Sequence, residues 1–200
     1  MMKRNSINLA AIITAFSLLF AGCGGNAPAQ SQSYDDTVIE EIHITTGGAD
    51  VMIEQSSGEG VYYSIDGAKD SPAELDGSKL TLTVPMPDAG INLSEPKPLI
   101  VRIPEDGCAV VTVESETGNV SVKDVKIDVL RITTLYGDIT LSGMEGHFAA
   151  KAEMGSIKTD LPVAGEIKGL DIVGQELDEE IGATESEINL YTNTGTIELK

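Results

Sequence analysis

Tryptophan is absent from the 200-residue chain, phenylalanine occurs three times and tyrosine five times. So few rings leave little for a ligand site built on stacked aromatics, and any core must be filled by aliphatic side chains. Cysteine and histidine occur twice each, too few for a disulfide scaffold or a Cys/His zinc site. Cations are scarce as well, with 13 Lys and Arg against 32 Asp and Glu and a formal net charge of −19. Two of the cations, Lys3 and Arg4, precede residue 23 and no acid does, so the remainder carries 11 against 32, a net −21. A surface of that sign repels nucleic acid and anionic headgroups and tolerates cations, cationic partners or neutral sugars. The residues that are abundant, Val, Ile, Leu, Thr and Gly, form strands and turns.

Residues 1–22 read as a secretory signal. Lys3 and Arg4 give the positive start, and Leu9 to Phe20 gives an apolar stretch too short for a comfortable membrane span. The boundary Leu19-Phe20-Ala21-Gly22-Cys23 resembles the bacterial lipobox, which implies a thioether-linked diacylglycerol on Cys23, cleavage before it and an acylated (palmitate-type) new N-terminus. Two or more acyl chains anchor stably where one does not. Residues 23–37 then form the lipidated cysteine and a Gly, Asn, Ala, Pro, Gln and Ser-rich tether. Gly24 follows the cysteine and no acidic retention signal is present, so a diderm host would permit outer-membrane sorting, whereas a monoderm host offers only the plasma membrane. The expected location is therefore extracytoplasmic. Cys108 has no partner thiol left for a disulfide and is expected to open a strand as a buried, inert group.

Self-similarity dominates the rest, residues 38–200. Four segments align on glycine: Thr117-Gly118-Asn119-Val120, Tyr136-Gly137-Asp138-Ile139, Met154-Gly155-Ser156-Ile157 and Thr194-Gly195-Thr196-Ile197. Seven and five residues before each glycine stand Val111 and Val113, Leu130 and Ile132, Phe148 and Ala150, Ile188 and Leu190. Two and four after stand Val120 and Val122, Ile139 and Leu141, Ile157 and Thr159, Ile197 and Leu199, and a small residue (Ser115, Thr134, Ala152, Thr192) sits three before. Spacing by two on each side of a bend describes strand, tight turn, strand, each arm burying one face. The glycine supplies φ > 0 or a close backbone approach, and the Asn, Asp, Ser or Thr after it is expected to bond locally. An antiparallel meander gives the same pattern, but a period of about 19 residues with small corner residues favours a β-solenoid whose units stack one on the next. Ala49 anchors an earlier copy, with Ile42, Ile44, Val51 and Ile53 around it. Val61 to Ile65, Lys79 to Val84 and Leu99 to Ile103 read as further strands, residues 85–98 with four prolines as a surface loop, and the acid-rich 171–187 as an exposed insertion or irregular rung.

Ala49-Asp50-Val51, Leu99-Ile100-Val101-Arg102-Ile103-Pro104 and Gly137-Asp138-Ile139 together resemble the bacterial adhesin-like family with β-strand repeats, the domain of unknown function 4097, over roughly residues 38–200. The resemblance implies a β-solenoid-like fold and an envelope location, and it transfers no catalytic residue.

Motifs for chemistry are missing. His43 and His147 belong to no HExxH or HxH pattern, neither DxDxDG nor the calcium-binding nonapeptide occurs, and GxSxG and phosphate-binding loops are absent. Tyr62, Tyr63, Tyr136 and Tyr191 are expected to be half-buried surface rings. No catalytic residue, metal ligand or cofactor is therefore expected. The function expected is a non-catalytic binding or scaffold domain held to a membrane through Cys23, its partner an envelope polymer, host matrix or a membrane signalling protein. An accessory or sensory role in envelope stress and, third, a polysaccharide-active enzyme are the alternatives.

Overall fold

The computed structural model describes residues 30–66, 71–86, 97–163, 165–170 and 173–200, and their regular structure is all β, without a helix. The strands are β1 (Gln30–Tyr34), β2 (Glu41–Thr46), β3 (Val51–Gln55), β4 (Val61–Ile65), β5 (Ala73–Asp76), β6 (Lys79–Val84), β7 (Leu99–Ile103), β8 (Cys108–Thr117), β9 (Val120–Lys123), β10 (Ile127–Tyr136), β11 (Ile139–Ser142), β12 (Gly146–Thr159), β13 (Lys168–Gly169), β14 (Gln175–Ile181) and β15 (Glu187–Leu199). The signal segment 1–22, Cys23 and the tether as far as residue 29 lie outside the described residues, as do 87–96 of the proline-rich loop.

Each copy of the sequence repeat makes one rung: a first arm, a bend at the anchor residue, and a second arm. The pairs β2/β3, β8/β9 and β10/β11 are such rungs, while β12 and β15 run through the bend as single long strands. First arms stack in the order β6, β2, β8, β10, β15, β12, all parallel and in register. Second arms stack in the order β7, β3, β9, β11, β15, β12, again parallel. Parallel pairing excludes the antiparallel meander for the rungs, because the chain returns from each second arm before starting the next first arm.

The rungs do not stack in chain order, and this corrects the expected regular solenoid. Rung β2/β3 lies between β6/β7 and β8/β9, and the C-terminal β15 fills the place between β10/β11 and β12. A 19-residue offset joins β8/β9 to β10/β11, but neighbouring rungs elsewhere are offset by 69 and 58 residues. The reason is that period-2 alternation fixes which face turns inward and not which copy lies alongside. Every arm offers two aliphatic residues at the same register, so one copy fits against another equally well.

Both inward faces meet in one continuous core. Ile42, Ile44, Val111, Val113, Leu130, Ile132, Ile188, Leu190 and Phe148 come from first arms, and Val51, Ile53, Val120, Val122, Ile139, Leu141, Ile197 and Leu199 from second arms. Burial of so many side chains, each stabilising by about 1.5–3 kcal/mol, holds a stack that has few rings.

The ends are closed by antiparallel strands. β5 pairs with β6, β4 with β7 and β1 with β4 at one end; β14 pairs with β12 and β13 with β14 at the other. These strands cover edges that would otherwise template further pairing. Two expectations change accordingly. The segment assigned as tether through residue 37 already contains β1, whose Tyr34 is buried. The acid-rich stretch contains β14, which buries Leu177 and Ile181 and turns Glu176, Asp178 and Glu180 outward. His147 stands in β12, and Tyr63 is fully buried instead of half-buried as expected.

Candidate functional site

Ala49, Gly118, Gly137, Gly195 and Gly155 form one column along the bend. A Cβ on Gly118 would sit 2.6 Å from the Ala49 carbonyl oxygen, and on Gly137, Gly195 and Gly155 it would overlap the carbonyl oxygens of Gly118, Gly137 and Gly195 respectively. Gly118 has φ +128, but Gly137 and Gly155 are not left-handed. At those two it is the close approach of the next backbone, and not positive φ, that requires glycine.

Inside the bend the small residues are buried: Thr46, Ser115, Thr134, Ala152 and Thr192. The Thr46 hydroxyl accepts from the Ala49 N–H at 2.9 Å, and those of Thr134 and Thr192 donate to the Gly137 carbonyl at 3.2 and 3.0 Å. Hydroxyls here satisfy backbone groups that the bend withdraws from the ladder. Outside the bend, the Asp50 carboxylate accepts from the Asn119 N–H at 2.7 Å, the Asn119 side-chain oxygen from the Asp138 N–H at 2.9 Å, and the Asp138 carboxylate from the Thr196 N–H at 2.7 Å. The side chains of Asn119 and Asp138, each following a bend glycine, therefore bond to the next rung and not locally. Sequence reasoning missed this ladder because it needs the register between rungs.

The two outward faces differ in charge. On the first arms and their capping strands, Glu41, Glu74, Asp76, Glu114, Glu176, Asp178, Glu180 and Glu187 outnumber Lys79, Arg131, Lys151 and Lys168. The ion pairs are Lys79–Glu41 at 2.7 Å, Arg131–Glu187 at 3.7 Å and Lys151–Glu153 at 2.7 Å, all solvent-exposed and individually weak, and His147 Nε2 is hydrogen-bonded to Asp178 Oδ1 at 2.8 Å. The hydrogen bond that the Lys151 ammonium donates to the Glu153 carboxylate holds its pKa above the ordinary value. On the second arms and their capping strands, Arg102, Lys123, Lys158 and Lys200 stand with Glu54, Glu198, Asp160 and Asp35, among Met52, Ile100 and Tyr62.

A shallow cleft of about 410 Å³ opens beside this second face, lined by Ser33, Asp35, Gln55, Ser56, Ser57, Tyr62 and Arg102. Arg102 Nε donates to Glu54 at 2.7 Å, and its guanidinium carbon lies 5.5 Å from the Tyr62 ring centroid. Its lining can hydrogen-bond a polar ligand, and within it the Ser33 hydroxyl donates to the Asp35 carboxylate at 2.5 Å. Cys108 is buried, its thiol donates to the Glu40 carbonyl at 3.1 Å, and burial, with the nearby Asp128 and Glu41 carboxylates, pushes its pKa up to about 11. A thiol so held is a poor nucleophile. Burial, with Tyr63 adding to it, likewise pushes Tyr34 up to about 12. Among the described residues no three His, Cys, Asp or Glu side chains are grouped to hold a metal, and no helix is long and apolar enough to cross a membrane.

The bend column sets the sequence signature of the domain, and a family model for Toastrack DUF4097 matches residues 39–200. The chain belongs to the Toastrack DUF4097 family. That match starts just before the β2 rung and runs through β15, so it spans the whole rung stack and leaves out β1. Among solved structures, this Toastrack chain is similar to one named a putative cell adhesion protein from Clostridium sporogenes, with 11% identity over 86% of this chain and 98% of the other, at TM-score 0.55. A structure named a putative adhesin from Bacteroides fragilis matches 86% of this chain and 97% of its own at 14% identity and TM-score 0.27. At these identities the likeness to the first concerns the fold alone. No curated protein matches the chain.

Proposed function

We propose that this Toastrack protein is a bacterial surface lipoprotein, anchored through Cys23, whose solenoid-like domain is a non-catalytic binding or scaffold module of the cell envelope. The observation that carries this reading is the way the inside of the stack is used. Its inward positions are filled by one aliphatic core, so what remains for recognition is two broad outward faces and a shallow cleft. In-register rows of side chains repeat at the strand spacing of about 4.8 Å, a rigid grid suited to an extended partner. Catalytic sites ask instead for a concave, water-excluding pocket.

Two measurements test it. Cys23→Ala should move the protein from the membrane fraction to the soluble fraction and abolish incorporation of radiolabelled palmitate; retention of both would remove the anchor. Purified protein should be retained by envelope polymer or host matrix and should turn over nothing on a broad glycan panel. Turnover lost on substitution of Asp35 would replace this reading with an enzymatic one.

A further inference from the structure

We propose that the second-arm face lies against an anionic bilayer, with the acidic first-arm face turned outward; this rests on the lipid anchoring proposed above. Three observations converge on that face. The first is charge. In a chain of net −19, the first-arm face is strongly acidic. The bend edge carries Asp50, Asp138, Glu116 and Glu153, and the opposite edge, where second arms return to first arms, carries Glu105, Asp106, Asp124 and Glu145 with Lys126. The second-arm face is the side on which cations and acids most nearly balance, Arg102, Lys123, Lys158 and Lys200 against Glu54, Glu198, Asp160 and Asp35. With a Debye length of about 8 Å at physiological salt, the side nearest a bilayer feels its potential and the far sides hardly do. An anchored acidic domain is therefore turned until its least acidic side faces the lipid.

The second observation is the kind and placement of the side chains. Arg102 stands opposite Glu54, Glu54 opposite Lys123, and Lys200 continues the same cross-strand row beyond Ser142. At about 4.8 Å per strand, cations recur roughly every 10 Å along that row. The neighbouring row holds Ile100 and Met52, the latter 40% exposed, and Tyr62 lies beside Arg102. Cations mixed with apolar side chains and an amphipathic ring suit the headgroup boundary.

The third observation is the point of attachment. β1 is the edge strand of the second-arm sheet, and its first residue, Gln30, is seven positions beyond Cys23. Seven residues fully extended reach about 25 Å at most, so this edge stays near the lipid whatever path the chain takes.

The test uses the full lipidated protein in vesicles of phosphatidylcholine with one part in four phosphatidylglycerol. Single cysteines replace Met52 on the second-arm face or Thr133 on the first-arm face, in a Cys108→Ala background, and are labelled with a membrane-impermeant maleimide. Relative to the same variants in detergent, Met52→Cys should react about ten-fold more slowly on vesicles and Thr133→Cys unchanged. The protection should disappear in 0.5 M salt or when Lys123, Lys158 and Lys200 are all replaced by Glu. Equal labelling of both faces, or protection of Thr133→Cys, overturns the orientation while leaving the anchor intact. Protection by soluble anionic wall polymer and not by vesicles overturns the bilayer as the partner. Protein that fails to float with vesicles at all overturns the anchor, and the orientation with it.

Discussion

At the scale of single residues, the stack is decided by what cannot be present. A methyl group on Gly137 has no space, because the Gly118 carbonyl of the neighbouring rung occupies it. Gly137→Ala should therefore cost about 3 kcal/mol by overpacking against backbone. Gly77, with φ +61 and open space around its would-be Cβ, should cost only about 1 kcal/mol on the same change. Chemical denaturation of the two variants compares them, and equal losses would mean that conformation and not stacking selects glycine at the bend. Titration offers a second test. Cys108 and Tyr34 have folded pKa values of about 11 and about 12, above their ordinary 9.0 and 10.0. The fold favours their neutral forms, so their stabilising contribution is whole below pH 9 and is lost as pH climbs through the two folded values. The melting temperature should fall between pH 9 and 12, and Cys108→Ala should remove the earlier part of that fall. A flat profile would contradict the burial of both groups. Cys108 was legible as a buried thiol because it follows a Pro-Glu-Asp-Gly turn at the start of an alternating run, whereas nothing near Tyr34 in a polar segment announced a core residue.

At the scale of elements, the ladder at the outside of the bend ties rungs together that are far apart in sequence. Replacing Asn119 or Asp138 by Ala removes an acceptor from the N–H of the next rung and should cost about 1 kcal/mol each, read as a shift in denaturation midpoint. Losing β1 should matter little more than losing one buried ring, Tyr34, at about 2 kcal/mol. Losing β15 should abolish cooperative unfolding altogether, since that strand separates β10/β11 from β12 and contributes to both arms. The strands themselves were readable from alternation around each glycine, and so was the inward face. Their order was not. Val111, Leu130, Phe148 and Ile188 are interchangeable as neighbours, so only tertiary connection tells which rung lies beside which. β14 was hidden for a different reason: its seven residues hold four acids, and the two positions that reach the core, Leu177 and Ile181, are four apart with a carboxylate, Glu179, between them on the same side of the strand.

At the scale of the whole molecule, function follows from how the stack spends its two kinds of face. Inward faces fuse into one core, and outward faces become grids of unlike charge, one strongly acidic and one close to balance. The charge excess was visible in the composition, but its uneven division was not, because it depends on which rungs lie side by side and on where β14 docks. The grid proposed for binding and the contrast between faces presuppose that β15 lies between β10 and β12. In the structure Thr133 stands opposite Tyr191, with Lys151 one strand further on. In a Cys108→Ala background, the pair Thr133→Cys and Tyr191→Cys should form a disulfide readily on mild oxidation, and the pair Thr133→Cys and Lys151→Cys should not. The reverse, with Thr133 joined to position 151 and not to 191, would mean that the rungs follow the order of the chain and would contradict this architecture.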